Sequence, residues 1–228
     1  MINEKCPLCL HEKTSLIGSG FGRTYVYCDF CHLVFVPKCE HVSSARERAE
    51  YDLHENDNSS QSYRRYLGQV AKEVIGIGYS SPKILDFGSC KDYVLTRILR
   101  EQGYSCEAYD PLYGIGSSAL EKKYDIVVLC EVIEHLRDLP RELELIGNLL
   151  EPDGALYIRT QFYENKETVP TWWYANDVTH INFFCLQSLQ YVAKKLKRKL
   201  TKDDGKRCVL MTIDSSDELG LARREGIK

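Results

Sequence analysis

A chain of 228 residues with 43% apolar side chains is long enough for one ordinary α/β domain plus a small appendage, and apolar enough for a buried core, which excludes a disordered polypeptide. Its formal net charge of −3 and isoelectric point near 6.1 supply no general basic field, so there is no strong nucleic-acid signal and any such contact needs a local patch. No apolar run reaches the roughly 18 residues of a membrane span, and Met1–Lys5 leads into the first cysteines without an apolar leader, so no membrane partner is expected.

Residues 1–38 read as a compact unit. Cys6-Pro7-Leu8-Cys9 and Cys28-Asp29-Phe30-Cys31, separated by residues 10–27, match the C-x2-C…C-x2-C spacing of a tetrahedral zinc site. Four thiolates fill the shell of the ion and leave no open position, so a structural zinc is expected in a zinc-ribbon-like module too small to build a large core of its own. Strand-like Thr24–Tyr27 and Leu33–Val36 complete the module, which ends at Pro37; His11 and His32 read as solvated neighbours of the knuckles. Cys39, Cys90, Cys106, Cys130, Cys185 and Cys208 read as small packing residues. Ten cysteines in this arrangement are no disulfide framework, and the expected compartment is a reducing cytoplasm.

Residues 39–80 read as a polar linker with a helical lid around Tyr63–Ile75. Tyr51-Asp52-Leu53-His54-Glu55-Asn56-Asp57 and Tyr63-Arg64-Arg65-Tyr66 are the parts of it dense enough in polar and aromatic groups to cover a site. From Lys83 short apolar strands alternate with helical segments, the pattern of a parallel sheet with crossover helices. The spacing predicts strands at Lys83–Phe87, Ser105–Tyr109, Tyr124–Cys130 and Ala155–Arg159. It predicts helices at Tyr93–Gln102, stopping at Gly103, and at Pro140–Leu150, capped by Asp138. Glu151-Pro152-Asp153-Gly154 reads as a turn, Leu186–Leu196 as a helix, and Lys194–Lys199 as a solvated basic face. The fold class is α/β: a doubly wound, Rossmann-like, mostly parallel sheet over residues 81–214 behind a small N-terminal four-cysteine zinc ribbon, with a polar tail at 215–228.

A strand that ends in Asp86-Phe87-Gly88-Ser89-Cys90-Lys91-Asp92 and opens a helix is the nucleoside-binding arrangement of doubly wound sheets, whose ligands sit at the carboxyl ends of the strands. Asp110, at the end of the second strand, is placed to accept hydrogen bonds from both ribose hydroxyls of an adenosine-containing cofactor. These residues resemble class I S-adenosylmethionine methyltransferases across about residues 64–213. The resemblance runs through Leu85-Asp86-Phe87-Gly88, Tyr109-Asp110-Pro111, Tyr124-Asp125-Ile126-Val127 with Glu134-His135-Leu136, and Leu149-Leu150-Glu151-Pro152-Asp153-Gly154. It implies S-adenosylmethionine as cofactor, with Asp86 near its amine and Gly88, Cys90, Asp110 and Glu131 around it. The family loop has three glycines spaced two apart, and here Cys90 and Asp92 replace the second and third; Cys90 is small, and Asp92 is expected to cap the following helix.

Glu131-Val132-Ile133-Glu134-His135 falls beside the expected position of the methyl group, and His180 is placed to overhang the same cleft. Glu131, Glu134, His135 and a later histidine, for which His180 is the candidate, resemble the metal site of small-RNA 2′-O-methyltransferases; the first three resemble that of ubiquinone-pathway O-methyltransferases. The implied second cofactor is a divalent metal that acidifies and orients an acceptor hydroxyl. Without metal, His180 or His135 serves as general base, with Glu134 beside it. Trp172, Trp173, Tyr174, Phe183 and Phe184 either pack in the core or line an acceptor pocket. Zinc knuckles ahead of this core resemble a group of bacterial methyltransferase-like proteins, which leaves open whether the acceptor is a small molecule or an RNA nucleotide. Two other readings stand beside methyl transfer. One is a catalytically silent fold whose ribbon recruits a partner; the other, weaker for want of the pyrophosphate loop spacing, is a Rossmann dehydrogenase.

Overall fold

A computed structural model of the chain describes residues 4–53 and 58–213. His54–Asp57 of the expected lid and the expected tail at 215–228 lie outside the described residues. Strand β1 (Thr14–Gly20) pairs antiparallel with β2 (Arg23–Cys28), and β2 with β3 (Val34–Phe35). The sequence reading did not place β1, whose glycines dilute any strand pattern. They have a physical reason: a Cβ on Gly20 would stand 1.7 Å from the carbonyl oxygen of Pro170. Helices α1 (Ser44–Leu53) and α2 (Gln61–Ile75) follow, α2 starting where Ser60 Oγ accepts the Tyr63 amide at 3.4 Å.

The second sheet begins at β4 (Lys83–Phe87), followed by α3 (Val94–Glu101), β5 (Ser105–Tyr109), β6 (Tyr124–Cys130), α4 (Leu139–Leu149) and β7 (Leu150–Arg159). Strand β8 (Asn182–Phe183), helix α5 (Leu186–Lys195) and strands β9 (Lys199–Asp203) and β10 (Cys208–Thr212) complete the described chain. The order is β5-β4-β6-β7-β10-β9, with the first four strands parallel and the last two antiparallel. This is the mostly parallel, Rossmann-like sheet expected. Strand residues alternate between its faces as the pleat requires. Ile84, Ile126 and Val128 pack with α2 and α3, while Leu85, Val127 and Leu129 pack with α4 and α5.

Glu151–Gly154 is not a separate turn. Tyr124 pairs with Leu150 and Ile126 with Ala155, so these residues form a bulge inside a continuous β7, which accommodates Pro152 and Gly154. The basic run is not one solvated helix face either. Helix α5 stops at Lys195, and Arg198 folds back, half-buried, to donate to the carbonyls of Gly154 and Glu151.

The N-terminal sheet does not close on itself: β3 pairs with β8, from far along the chain. Cys6, Leu8, Cys28, Cys31 and Leu33 share a core with Leu189 and Val192 of α5, and Tyr25, Val34 and Val36 share another with Tyr174, Ala175 and Phe183. The cysteine knuckles are therefore built into the wall of the α/β unit. Among the described residues, no helix is long and apolar enough to cross a membrane.

Candidate active site

The loop after β4 keeps a glycine-type backbone although two of its glycines are replaced. Gly88 has φ +79°, its N–H donates to Tyr109 O at 2.7 Å, and a Cβ there would lie 2.6 Å from Val132 Cγ2. Cys90 also adopts the left-handed region, at φ +57°, and donates its N–H to Asp110 Oδ2 at 2.9 Å. Cysteine thus accepts the conformation that glycine takes without strain, at a cost of about 1–2 kcal/mol. Asp92 does not cap α3. The N-cap is Tyr93, left-handed and without a side-chain cap bond. The first-turn amide and hydroxyl of Thr96 instead donate to Asp86 Oδ2, at 3.2 and 2.8 Å. One residue of offset explains the difference: the helix starts at Val94, so Asp92 lies ahead of the capping position.

Asp86 is 3% exposed, and burial pushes its carboxyl up to about 6 against the pull of the Thr96 bonds. Asp110 spends Oδ1 on the amides of Leu112 and Tyr113 and Oδ2 on that of Cys90. Burial raises its carboxyl above the usual range, with those three N–H groups opposing. Both carboxylates reach the cleft at the carboxyl ends of β4, β5 and β6. A cavity of about 240 Å³ there is lined by Asp86, Cys90, Glu131, His135, Asp177 and His180, with Tyr51 of α1 and Tyr63 and Tyr66 of α2 over it. A second lobe, of about 420 Å³, takes in Asp110, Leu112 and Glu142 and shares Tyr51, Gly88, Cys90, Glu131 and His135 with the first.

Glu131 follows β6 with φ +53° and is gripped by two phenols: Tyr66 OH donates to Oε1 at 2.7 Å and Tyr174 OH to Oε2 at 3.0 Å. Arg159, 2% exposed, donates through Nε to the Tyr66 oxygen at 3.0 Å, which leaves the Tyr66 proton for Glu131. Glu134 is fully buried. Its Oε1 faces the same Tyr174 hydroxyl, so the two carboxyls share that single proton, and its Oε2 has no hydrogen-bond partner among the described residues. Burial first, then the charge of Glu131, holds this carboxyl well above the usual range.

His135 Nδ1 lies 3.1 Å from Thr179 O, and His180 Nδ1 lies 2.7 Å from Tyr174 O. A carbonyl only accepts, so in each neutral ring Nδ1 carries the proton and Nε2 the lone pair. The two rings are 4.7 Å apart between centroids, and burial keeps His180 below the usual imidazole range. His180 Nε2 is 3.7 Å from Asp177 Oδ2. One donor atom from each of Glu134, His135 and His180 lies within 4.8 Å of the others. Such a mixed set suits a divalent ion as well as a proton transfer.

Cys6, Cys9, Cys28 and Cys31 also bring their sulfurs within 4.8 Å of one another, with Cys6–Cys31 at 3.4 Å and Cys9–Cys28 at 3.5 Å. Sulfurs around a tetrahedral zinc stand about 3.8 Å apart, so the spacing is close to that of a filled shell. The two knuckles repeat one local structure. Leu10 N donates to Cys6 O and His32 N to Cys28 O, Cys6 N donates to His11 O and Cys28 N to Leu33 O, and Leu10 and His32 are both left-handed.

The expected residues Asp86, Gly88, Cys90, Glu131, His135 and His180 all line the first lobe, and Asp110 the second, while Glu134 lies behind the wall. Sequence reasoning missed how the wall is held. Tyr174 bridges Glu131 and Glu134, Asp177 faces His180, and Arg23 donates to the backbone of the same loop. Tyr174 and Asp177 stand in the segment singled out around His180; nothing in the sequence marks Arg23.

Residues 59–196 match the family described as Methyltransferase domain. No curated protein matches the chain in sequence. Among solved structures, mitomycin 7-O-methyltransferase is similar over 75% of this chain and 59% of its own, at 13% identity and a TM-score of 0.55; the chain thus spans about three fifths of that protein. Burkholderia thailandensis 1,6-didemethyltoxoflavin-N1-methyltransferase, solved with 1,6-didemethyltoxoflavin and S-adenosylhomocysteine, is similar over 82% of this chain and 99% of its own, at 14% identity and a TM-score of 0.51. An S-adenosylmethionine-dependent methyltransferase from Archaeoglobus fulgidus is similar over 72% and 99%, at 15% identity and a TM-score of 0.52. Likeness at such identities shows the fold.

Proposed function

This chain belongs to the methyltransferase-domain family, and from that premise we propose that it moves a methyl group from S-adenosylmethionine to an oxygen or nitrogen of a small molecule or an RNA nucleotide. The observation that carries the reading is the convergence of Asp86, the left-handed Gly88–Cys90 loop and Glu131 on one cleft, with His135 and His180 across it. The lining fits the cofactor. Three carboxylates, Asp86, Asp110 and Glu131, suit a ligand carrying a sulfonium and an amine, and Gly88, where Val132 leaves no room for a Cβ, keeps the loop backbone bare at the cleft. In this reading Asp110 holds the ribose, Asp86 the amine, and the backbone of residues 88–90 the chain between them. When bound, the cofactor supplies an electrophilic methyl group.

The chain's own residues do the rest. His180 Nε2, its tautomer set by Tyr174 O, takes the proton of the acceptor, and His135 Nε2 stands beside it for the same task. Glu134, His135 and His180 also form a donor set that would hold a divalent ion, which when bound would lower the pKa of an acceptor hydroxyl. The four cysteines, whose sulfurs lie within 4.8 Å of one another, would hold a structural zinc.

A second reading, a catalytically silent fold acting through its ribbon, is favoured by one observation: Asp86 and Asp110 already accept bonds from backbone amides. Isothermal titration with S-adenosylmethionine tests both readings. Heat at micromolar to low-millimolar ligand, lost in Asp110→Ala, is expected; no heat at millimolar ligand sinks the transferase reading and leaves the silent one.

A further inference from the structure

We propose that Arg23 is a positioning residue of the methyl-transfer site, its guanidinium fixing the loop of residues 175–180 and through it the imidazole of His180. The role rests on the reading above, in which His180 serves the acceptor. Arg23 opens β2, on the N-terminal sheet, and is 7% exposed. Its Nη1 donates to Val178 O at 3.2 Å and to His180 O at 2.8 Å, and its Nη2 donates to Asp177 O at 2.9 Å and to Ala175 O. Four carbonyls of one short loop thus turn toward a single cation. Its Nε is buried without a hydrogen-bond partner among the described residues, so the loop carbonyls supply the hydrogen bonds of this charge.

The dependence runs in both directions. Were the loop to rearrange, a buried cation would lose its acceptors; were Arg23 removed, several buried carbonyls would lose a donor. The conformation that puts His180 Nδ1 against Tyr174 O and Nε2 beside Asp177 is the one in which these carbonyls converge. Tyr25, two residues along on the same face of β2, adds a bond from its hydroxyl to Ala175 O at 3.2 Å. The far end of that strand, about 17 Å away at the rise of an extended chain, is the knuckle residue Cys28. One strand therefore joins the cysteine cluster to the loop that carries the proposed base.

The test compares wild type with Arg23→Gln and Arg23→Lys, reading amide hydrogen exchange, the 15N signature of the His180 ring, and S-adenosylmethionine affinity by calorimetry. In Arg23→Gln, exchange at residues 178–181 is expected to quicken at least tenfold, while amides of β4 and β6 and the cofactor affinity stay within about twofold. The His180 ring is expected to lose its single Nδ1-protonated signature, and Arg23→Lys to restore part of it. Unchanged loop exchange with an unchanged ring signature overturns the proposal, as does equal quickening throughout both sheets. If Arg23→Gln does not fold, the wild type decides: resolved Arg23 Nη protons with cross-peaks to residues 175–180 support the clamp, and their absence overturns it. A wild-type chain that binds no S-adenosylmethionine removes the functional premise even with the clamp intact, so the two failures are distinguishable.

Discussion

The chain gathers ligand-type side chains in two places, and the two clusters are built on opposite principles. Cys6, Cys9, Cys28 and Cys31 come from two copies of one local turn, present four equal donors, and sit in a wall of Leu8, Leu33 and Leu189. Glu134, His135 and His180 come from two distant segments, present unlike donors, and place both imidazoles on a cleft. A complete shell of identical donors has nothing left over for a substrate and can contribute only to folding. A cluster of unlike donors, with a carboxyl oxygen that has no hydrogen-bond partner among the described residues and two imidazoles that line the cleft, keeps a face for chemistry.

The largest effect should come from breaking the closed cluster. Chelation, or Cys28→Ser, is expected to remove about one zinc per chain and unravel the N-terminal sheet, since a structural zinc of this type contributes on the order of 10 kcal/mol. Metal stoichiometry with circular dichroism checks it; a metal-free chain that keeps the β1–β2 hairpin protected from exchange would refute the zinc assignment. Because β2 carries Arg23 at its other end, the loop around His180 should loosen with the knuckles, whereas a ribbon that is a mere appendage would leave it untouched.

Asp86 gives the next largest effect, on the cleft side. Its carboxyl sits at about 6 in the folded chain against an ordinary 3.8, so the folded state binds the proton more tightly than the unfolded one. The associated stability is fully present below about pH 3.8 and is lost as pH rises through 6, by about 3 kcal/mol. Asp86→Asn keeps an acceptor for Thr96 and lacks this slope. Urea unfolding from pH 4 to 7 should show the variant gaining on wild type by that amount, and a constant difference would show that burial does not govern the group. Saturating S-adenosylmethionine, if its amine lies beside Asp86, should flatten the wild-type slope.

Glu134→Gln probes the open cluster. Manganese affinity, read from the electron resonance of the free ion, is expected to fall by more than about 100-fold, the upper end of the loss found when only an outer partner of a ligand is removed, with cofactor affinity unchanged. A wild type that binds no manganese leaves His180 Nε2 as the base and removes the metal.

The contrast between the clusters also marks what a sequence discloses. The knuckles were readable because each is a local turn with fixed spacing. So were β4, β5 and β6, whose bounds came out residue for residue: β4 and β6, inside the sheet, are short and mostly apolar runs, and the edge strand β5 is set off by Gly103 ahead of it and Pro111 after it. Strand β1 was not readable, because Gly18 and Gly20 answer to Pro170, some 150 residues away; nor was the two-residue β8, which exists only as a partner for β3. In the site, the positions of Asp86, Asp110, Glu131 and His180 were readable, but not their partners. Which amide a carboxylate takes, or that Arg23 faces four carbonyls of another segment, is decided by packing.

Cys90 is the smallest test and bears directly on the departure from the glycine pattern. At φ +57° it carries a side chain in the left-handed region, and burial holds its thiol up at about 12, so it stays protonated and is no nucleophile. Restoring glycine relieves strain of about 1–2 kcal/mol but returns about 0.5–1 kcal/mol of entropy to the unfolded chain. Cys90→Gly should therefore stabilise by about 0.5–1 kcal/mol in urea unfolding, with S-adenosylmethionine affinity equal or slightly tighter. Gly88→Ala should go the other way, because its new methyl group meets Val132. If Cys90→Gly instead destabilises the chain and weakens the cofactor, the cysteine side chain is itself part of the cleft's binding surface, and the loop is an adapted one rather than a glycine loop under strain.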